Sequence, residues 1–323
     1  MLGWYFYFKE KKNATLAKRF NYSFMVLICV WNLLEVGIVV TSLVNSNLFM
    51  LEHWKLLHGK LLQGEILLGK LNCQISTKTN RRFYCEVIIV FTLFLCLQMC
   101  RMHFWFHKHN YEGLVDIVGG AAAHFYMNLL LITTLNLSQA LQRRYSFLNE
   151  TIVHLIEGDF IDDEIISKLQ IVISLYKTLH TVVEMFNKIF GWHMFFFVSV
   201  SVVNVLVAVI FGMEVNFILM ENGPNCAVTI TCMASLVVVI MCCNSVEVSG
   251  EKVAKTCLSL QNLAKSKRAE EQLLQFAQYA EEWKPIFSAA GFYHVNQLTL
   301  TSIFKTIITY LVILIQFDMA LKH

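Results

Sequence analysis

The stretch DDEIISKLQIVISLYKTLHTVVEMFNKIFGWHMFFFVSVSVVNVLVAVIFGM, residues 162–213, decides the fold. Asp162, Asp163 and Glu164 are the acids expected in a helix's first turn, where they meet the positive end of its dipole. Ile165, Leu169, Val172, Tyr176, Leu179, Val183 and Phe186 follow at alternating spacings of four and three, so one helical face stays apolar. From 192 the chain becomes an apolar run about as long as the ~20 residues a bilayer crossing needs. The two halves join without a break, predicting one helix of about 75 Å at 1.5 Å per residue, with Gly191 as its candidate bend. Such a helix outreaches a bilayer. Its inner half either projects from the membrane or lies on its surface, and the strict heptad favours projection.

Outward from this stretch, five more segments qualify as spans or come close: 24–44, 85–103, 117–137, 226–246 and 295–317, with residues 4–8 as the stub of another at the front. Hydrophobic residues make up 56% and charged residues 15%, and mean hydropathy is +0.55, which excludes two ordinary soluble domains. The class is all-α, a polytopic helical membrane protein, because only internally hydrogen-bonded backbone crosses lipid. A net charge of +3 is too small to argue for nucleic acid. The cysteines lie scattered in or beside apolar runs without metal-site spacing, and read as small buried hydrophobes. With no Gly-rich phosphate loop, metal-ligand cluster or nucleophile elbow, an enzyme is not supported, and no cofactor or metal is expected.

Lys and Arg counts orient the chain. Connections 45–84, 138–190 and 247–294 hold 6, 5 and 6, whereas 104–116 and 214–225 hold 1 and 0. The first set is therefore expected inside and the C-terminus outside. The basic run 9–19 departs from the pattern, but Asn13 and Asn21 there head glycosylation sequons that fit an outer location. The opening MLGWYFYFKEKKN is not a secretory signal and reads as the tail of a helix whose beginning is absent. The organisation expected is membrane helices over 1–137, a cytoplasmic helical hairpin over 138–191, two spans over 192–246, further inner helices over 247–294, and a last span with a short outer tail over 295–323. Leu137, Leu141, Tyr145, Leu148, Ile152 and Leu155 form the hairpin's first stripe. Val253, Cys257, Leu260 and Ala264, then Leu273, Phe276, Ala280 and Trp283, mark the later inner helices.

On the last span Ser302, Thr306, Thr309, Ile313 and Gln316 recur at four and three, a mostly polar stripe on an apolar helix. Polar groups at membrane depth face protein or water, so the stripe either packs against neighbouring helices or lines a pore. Thr309-Tyr310, five apolar residues, then Gln316-Phe317 resembles the closing signature of insect gustatory receptors at every fixed position. FSAAGFYHVNQLTLTSIFKTII (287–308), LQRRYSFLNETI (141–152) and LLQGEILLGKL (61–71) resemble other parts of that family, and the resemblance covers roughly 20–323.

The resemblance implies seven spans with the N-terminus inside and the C-terminus outside, agreeing with the charge count. It implies a tastant-gated cation channel in the plasma membrane of sensory neurons, a homo- or heterotetramer whose last helices line a central pore. Gln316 and Phe317 would then form the constriction, with Thr309 and Tyr310 deeper; Thr306 and Ile313 join from the stripe. Lys305 would turn away from the axis. The inner helices, through residues such as Leu169, Tyr176, Leu179 and Trp283, would pack between subunits. The ligand, a small organic molecule of bitter type, would enter among the outer halves of the spans, where Trp31, Gln98, His103, Trp105, His124, Phe125, Tyr126, Asn204, Phe211 and Thr231 are candidates. For His124, a structural hydrogen bond is the competing role.

A seven-span G-protein-coupled receptor is the rival reading. It would place the C-terminus inside, and no Asp-Arg-Tyr-like triplet or Asn-Pro-x-x-Tyr is present. Transporters want broken helices and repeats, against a chain with 2 prolines. A shortened first span also leaves open a non-functional truncated receptor product.

Overall fold

A computed structural model describes residues 51–71, parts of 85–103, 114–158, 160–214, 219–264 and 266–322, with side chains over 51–71, 124–158, 160–206, 229–264, 266–313 and 315–316. Helix α1 spans Leu51–Lys70, α2 Leu114–Glu157, α3 Asp162–Glu214 and α4 Leu219–Leu260. A 3-10 turn at Gln261–Leu263 leads to α5, Lys267–Glu282. Strands β1 (Ser288–Ala289) and β2 (Tyr293–His294) form an antiparallel hairpin pairing Ser288 with His294 and Ala289 with Tyr293, and α6 closes the chain at Gln297–Lys322.

The long helix expected over 162–213 is α3, 53 residues and therefore about 80 Å. Gly158 ends α2, its N–H donating to the His154 carbonyl at 3.1 Å, and Ile161 receives the first turn of α3 through Glu164 and Ile165, each at 3.0 Å. Lys168 then bonds Glu164 one turn back, at 2.6 Å, and lies over the Phe160 ring. Ser266 caps α5 by accepting from the Ala269 N–H at 3.3 Å. The helix stops at Trp283, whose φ of −104° and ψ of 53° leave helical space.

Expected spans 117–137, 192–213 and 226–246 fall within α2, α3 and α4. The last helix begins at Gln297 instead of 295, because the Val295 N–H is still tied to the Phe287 carbonyl at 2.8 Å and Asn296 takes the cap, accepting from the Thr299 N–H at 3.3 Å. Among the described residues two helices are long and apolar enough to cross a membrane, over Asp162–Leu206 and Thr229–Leu263, with shorter apolar stretches at Phe91–Cys100 and Gln297–Ile313. Span 24–44, the stub at 4–8, Asn13, Asn21, Trp31 and Trp105 lie outside the described residues.

The core runs through the inner halves of α2, α3 and α4 with α5 against them. All seven heptad residues of α3 are at most 2% exposed, and Leu141, Tyr145, Leu148 and Ile152 face them at 0%. Tyr176 is the hub, meeting Tyr145 edge-on at 5.5 Å and Phe276 edge-on at 5.5 Å. Its single hydroxyl proton is shared between the carbonyls of Ala280, at 2.9 Å, and Trp283, at 3.2 Å, at the open end of α5.

Candidate functional site

Helix α6 shows three faces. Leu300, Ile303 and Ile307 are buried at 9%, 8% and 7%, and hold it to the bundle. Ser302, Thr306, Thr309, Ile313 and Gln316 are all exposed. At about 100° per residue the centre of this stripe lies roughly 130° from the buried face. Phe304, Ile308, Val312 and Ile315 form the third face, apolar and exposed at 41%, 59%, 45% and 39%. Tyr310 is 51% exposed, on the edge between stripe and bundle. Lys305, also exposed, stands beside the stripe, roughly 60° from its centre. The Phe317 side chain lies outside the described set.

The stripe's chemistry follows from its hydrogen bonds. Ser302 Oγ donates to the Leu298 carbonyl at 3.0 Å, Thr306 Oγ1 to Ser302 at 2.9 Å and Thr309 Oγ1 to Lys305 at 2.9 Å. Each hydroxyl spends its one proton on its own helix and leaves its lone pairs facing outward. The exposed surface is a column of oxygen acceptors, suited to a cation or to water.

The outer candidates separate. His124, Phe125 and Tyr126 are consecutive on α2, so their side chains diverge by about 100° each. His124 Nδ1 lies 3.8 Å from Cys232 Sγ on α4. Phe125 packs at 5.6 Å on Phe91, and Tyr126 at 5.7 Å on His193 of α3. The three therefore point to three different neighbours. Gln98 is buried at 8% and Asn204 is half-buried; Phe211 lies on α3, its side chain outside the described set. Thr231 spends its hydroxyl on the Ala227 carbonyl at 3.0 Å.

Sequence reasoning passed over His193. It is 4% exposed between Tyr126 and the Phe190 ring, each at 5.7 Å. Thr134 and Ser138 are likewise buried, at 0% and 2%. The signal was a histidine at the entry of an apolar run, where a polar group needs a reason to stay.

A family model described as 7tm Chemosensory receptor matches residues 1–321. The chain belongs to the 7tm chemosensory receptor family. Its fold is that of a helical membrane receptor, similar to the insect olfactory receptor OR5 from Machilis hrabei. Against that receptor in complex with eugenol the TM-score is 0.59 at 13% identity, covering 95% of this chain and 92% of the other. Against a second structure of OR5 it is 0.59 at 14% identity, covering 86% and 80%. Among curated proteins no relative matches.

In this chemosensory receptor the inner bundle departs from one expectation. The family resemblance implies that the stripes of α3 and α4 pack between subunits, yet Leu169 and Leu179 are 1% exposed and Tyr176, Val253 and Cys257 0% within a single chain. A heptad seam is used once, and here α2, α4 and α5 use it. Trp283 differs: it is 42% exposed, because α5 ends there and its ring leaves the stripe to stack on Tyr279 at 6.0 Å and meet His180 at 5.3 Å. Burial, with Tyr176 and Tyr279 adding to it, holds the Tyr145 phenol well above its ordinary pKa, so it stays neutral. The two inner segments that resembled the gustatory family meet: Glu65 of α1 pairs with Arg144 of α2. Gly64 beside it is buried against Leu175, whose Cδ1 would be in ordinary contact, 3.8 Å, with an added Cβ.

Proposed function

We propose that this chain is a subunit of a gustatory-type, tastant-gated, non-selective cation channel, a tetramer in the plasma membrane of sensory neurons with its C-terminus outside. The observation that carries the reading is the exposed column of Ser302, Thr306 and Thr309, whose hydroxyls donate inward and offer oxygen outward. A monomeric receptor has no reason to hold such a column on an apolar helix away from its own core. Around a four-fold axis the same column faces water and replaces part of a cation's hydration. Gln316 and the apolar residues about it, Ile313 and Phe317, would close the pore near its outer end. The exposed apolar face of Phe304, Ile308 and Ile315 supports contact with neighbouring subunits or lipid. OR5 binds eugenol, and a ligand here would be a small organic molecule of that kind, held among α2, α3 and α4 near Tyr126 and His193. The inner helices 138–191 and 247–294 would form the cytoplasmic anchor, meeting other subunits through residues left exposed, Trp283 among them.

The test is whole-cell recording from cells expressing the receptor, with surface protein measured alongside. A ligand-evoked current carried by both sodium and potassium is expected. Gln316→Ala should change the basal or evoked current, and Thr306→Val should lower conductance several-fold, with surface protein unaltered. A ligand response that needs a G protein and carries no direct current would favour the rival receptor class. An epitope after His323 should stain intact cells; staining only after permeabilisation would overturn the orientation and the channel reading with it.

A further inference from the structure

We infer that Asn187 on α3 and Asn244 on α4 are positioning residues for gating: with Gly191 and Gly250 they clamp the backbone of the linker 283–297 to the two long helices, so that movement of those helices is delivered to α6. This rests on the channel reading above.

The linker has little regular structure of its own, yet α3 and α4 hold it at backbone atoms. Asn187 uses both ends of its amide: Nδ2 donates to the Ile286 carbonyl at 2.8 Å, and Oδ1 accepts from the Ser288 N–H at 2.9 Å. One side chain thus does for β1 what a neighbouring strand would do, and no other ordinary side chain of that length offers a donor and an acceptor together. One turn on, Gly191 forms a notch. A Cβ there would stand 2.9 Å from the Ala290 N and 3.4 Å from the Ser288 carbonyl oxygen. The hairpin turns at Ala290 and Gly291, with φ of 51° and 82°, both in left-handed space, so its shape is set where it meets α3. On α4, Gly250 receives Pro285, whose Cγ would lie 2.4 Å from an added Cβ. Asn244 Oδ1 accepts from the Gln297 N–H at 3.2 Å, holding the first residue of α6.

Two consequences make this a coupling device. Three of the four grips are on the main chain and the fourth is on a proline ring, so the linker cannot yield by changing a side-chain rotamer. The gripping helices are also those whose further turns carry His193 and Cys232, beside the outer candidates. Among the described residues α6 buries only Leu300, Ile303 and Ile307 against the bundle. Displacement of α3 or α4 therefore reaches α6 through the clamp as well as through that narrow packed face.

The experiment has two arms on the full-length receptor. Hydrogen exchange in detergent micelles follows peptides covering 286–297. Patch recording follows the maximal ligand-evoked current per surface channel. Asn187→Ala removes two hydrogen bonds and should speed exchange of the Ser288 amide roughly tenfold, with a comparable loss of maximal current. Asn187→Asp keeps the acceptor for Ser288 and should fall between. Gly191→Ala and Asn244→Ala act at separate grips and should lower maximal current while surface protein persists, so the inference does not hang on one variant. Lys168→Ala, on α3 but away from the linker, should change neither arm. Unchanged exchange in Asn187→Ala overturns the clamp. Faster exchange with wild-type currents in all three clamp variants overturns the coupling alone. A wild type without ligand-evoked current overturns the channel reading, and the coupling falls with it.

Discussion

Tyr176 and Tyr310 sit on helices of similar apolar composition and meet opposite fates. Tyr176 is fully buried and shares its proton between two carbonyls of α5; Tyr310 is 51% exposed on α6. The same contrast separates the inner bundle from the last helix. The bundle has interlocked its stripes and bonded the end of α5 inside one chain. The last helix keeps one narrow packed face and leaves an oxygen column and an apolar face exposed among the described residues. Under the channel reading proposed above, such a chain would be stable through its bundle and completed along its last helix by assembly.

The largest expected effect tests whether the two regions truly differ. Leu169→Ala or Leu179→Ala should cost about 2–5 kcal/mol, because each side chain leaves a cavity in a close-packed seam. Ile308→Ala, at a site 59% exposed in the single chain, should cost the isolated subunit about 0.5 kcal/mol or less. Thermal unfolding of purified receptor, monitored by size-exclusion fluorescence, reads all three. If Ile308→Ala matched Leu169→Ala in the assembled receptor but not in the subunit, the apolar face of α6 would be buried between subunits. If Leu169→Ala left the unfolding temperature unchanged, the seam would not be the core of the inner bundle.

Next in size are the contacts where the linker crosses from one region to the other. Gly250→Ala forces a methyl into Pro285, and overpacking of this kind costs about 1–3 kcal/mol. An unaltered unfolding temperature would mean that the linker rides loosely on α4. Tyr176→Phe keeps the ring packing and removes the shared hydroxyl proton, leaving the Ala280 and Trp283 carbonyls short of a donor; about 1–2 kcal/mol is expected. A loss below measurement would show that water reaches the end of α5.

The inner bundle was legible because its signals are local. The heptad of 165–186 and the acids of 162–164 are read along one strand of sequence, and α3 begins and continues where they say. What the heptad could not tell is whose surface it meets: spacing of four and three looks the same whether the partner is α2 of the same chain or α3 of another. The stripe of α6 was legible for the same reason, and its exposure supports the pore-lining reading proposed above. The outer candidates were legible only as residue types, because composition ignores direction; His124, Phe125 and Tyr126 point to three different neighbours. The clamp was not legible at all. Asn187 lies 99 residues from Ile286 in sequence, and an asparagine between apolar turns carries no mark of its distant partner.

The smallest effect concerns the ion pair between Glu65 and Arg144, which fastens α1 to the edge of the bundle. The Arg144 side chain is 11% exposed and Glu65 46%, so water screens one end of the pair but not the stem of the other. A pair open on one side contributes about 1 kcal/mol or less. Arg144→Ala should nevertheless cost more than Glu65→Ala, because it also removes aliphatic stem packed against the helices. The double-mutant cycle separates the two terms. A coupling near 0.5 kcal/mol that shrinks in high salt would be that of a screened surface contact. A salt-independent coupling several times larger would mean that the pair is sealed from water in the assembled receptor. In that case α1, and not the inner bundle alone, would contribute a subunit interface, and the contrast drawn between the two regions would have to be redrawn around it.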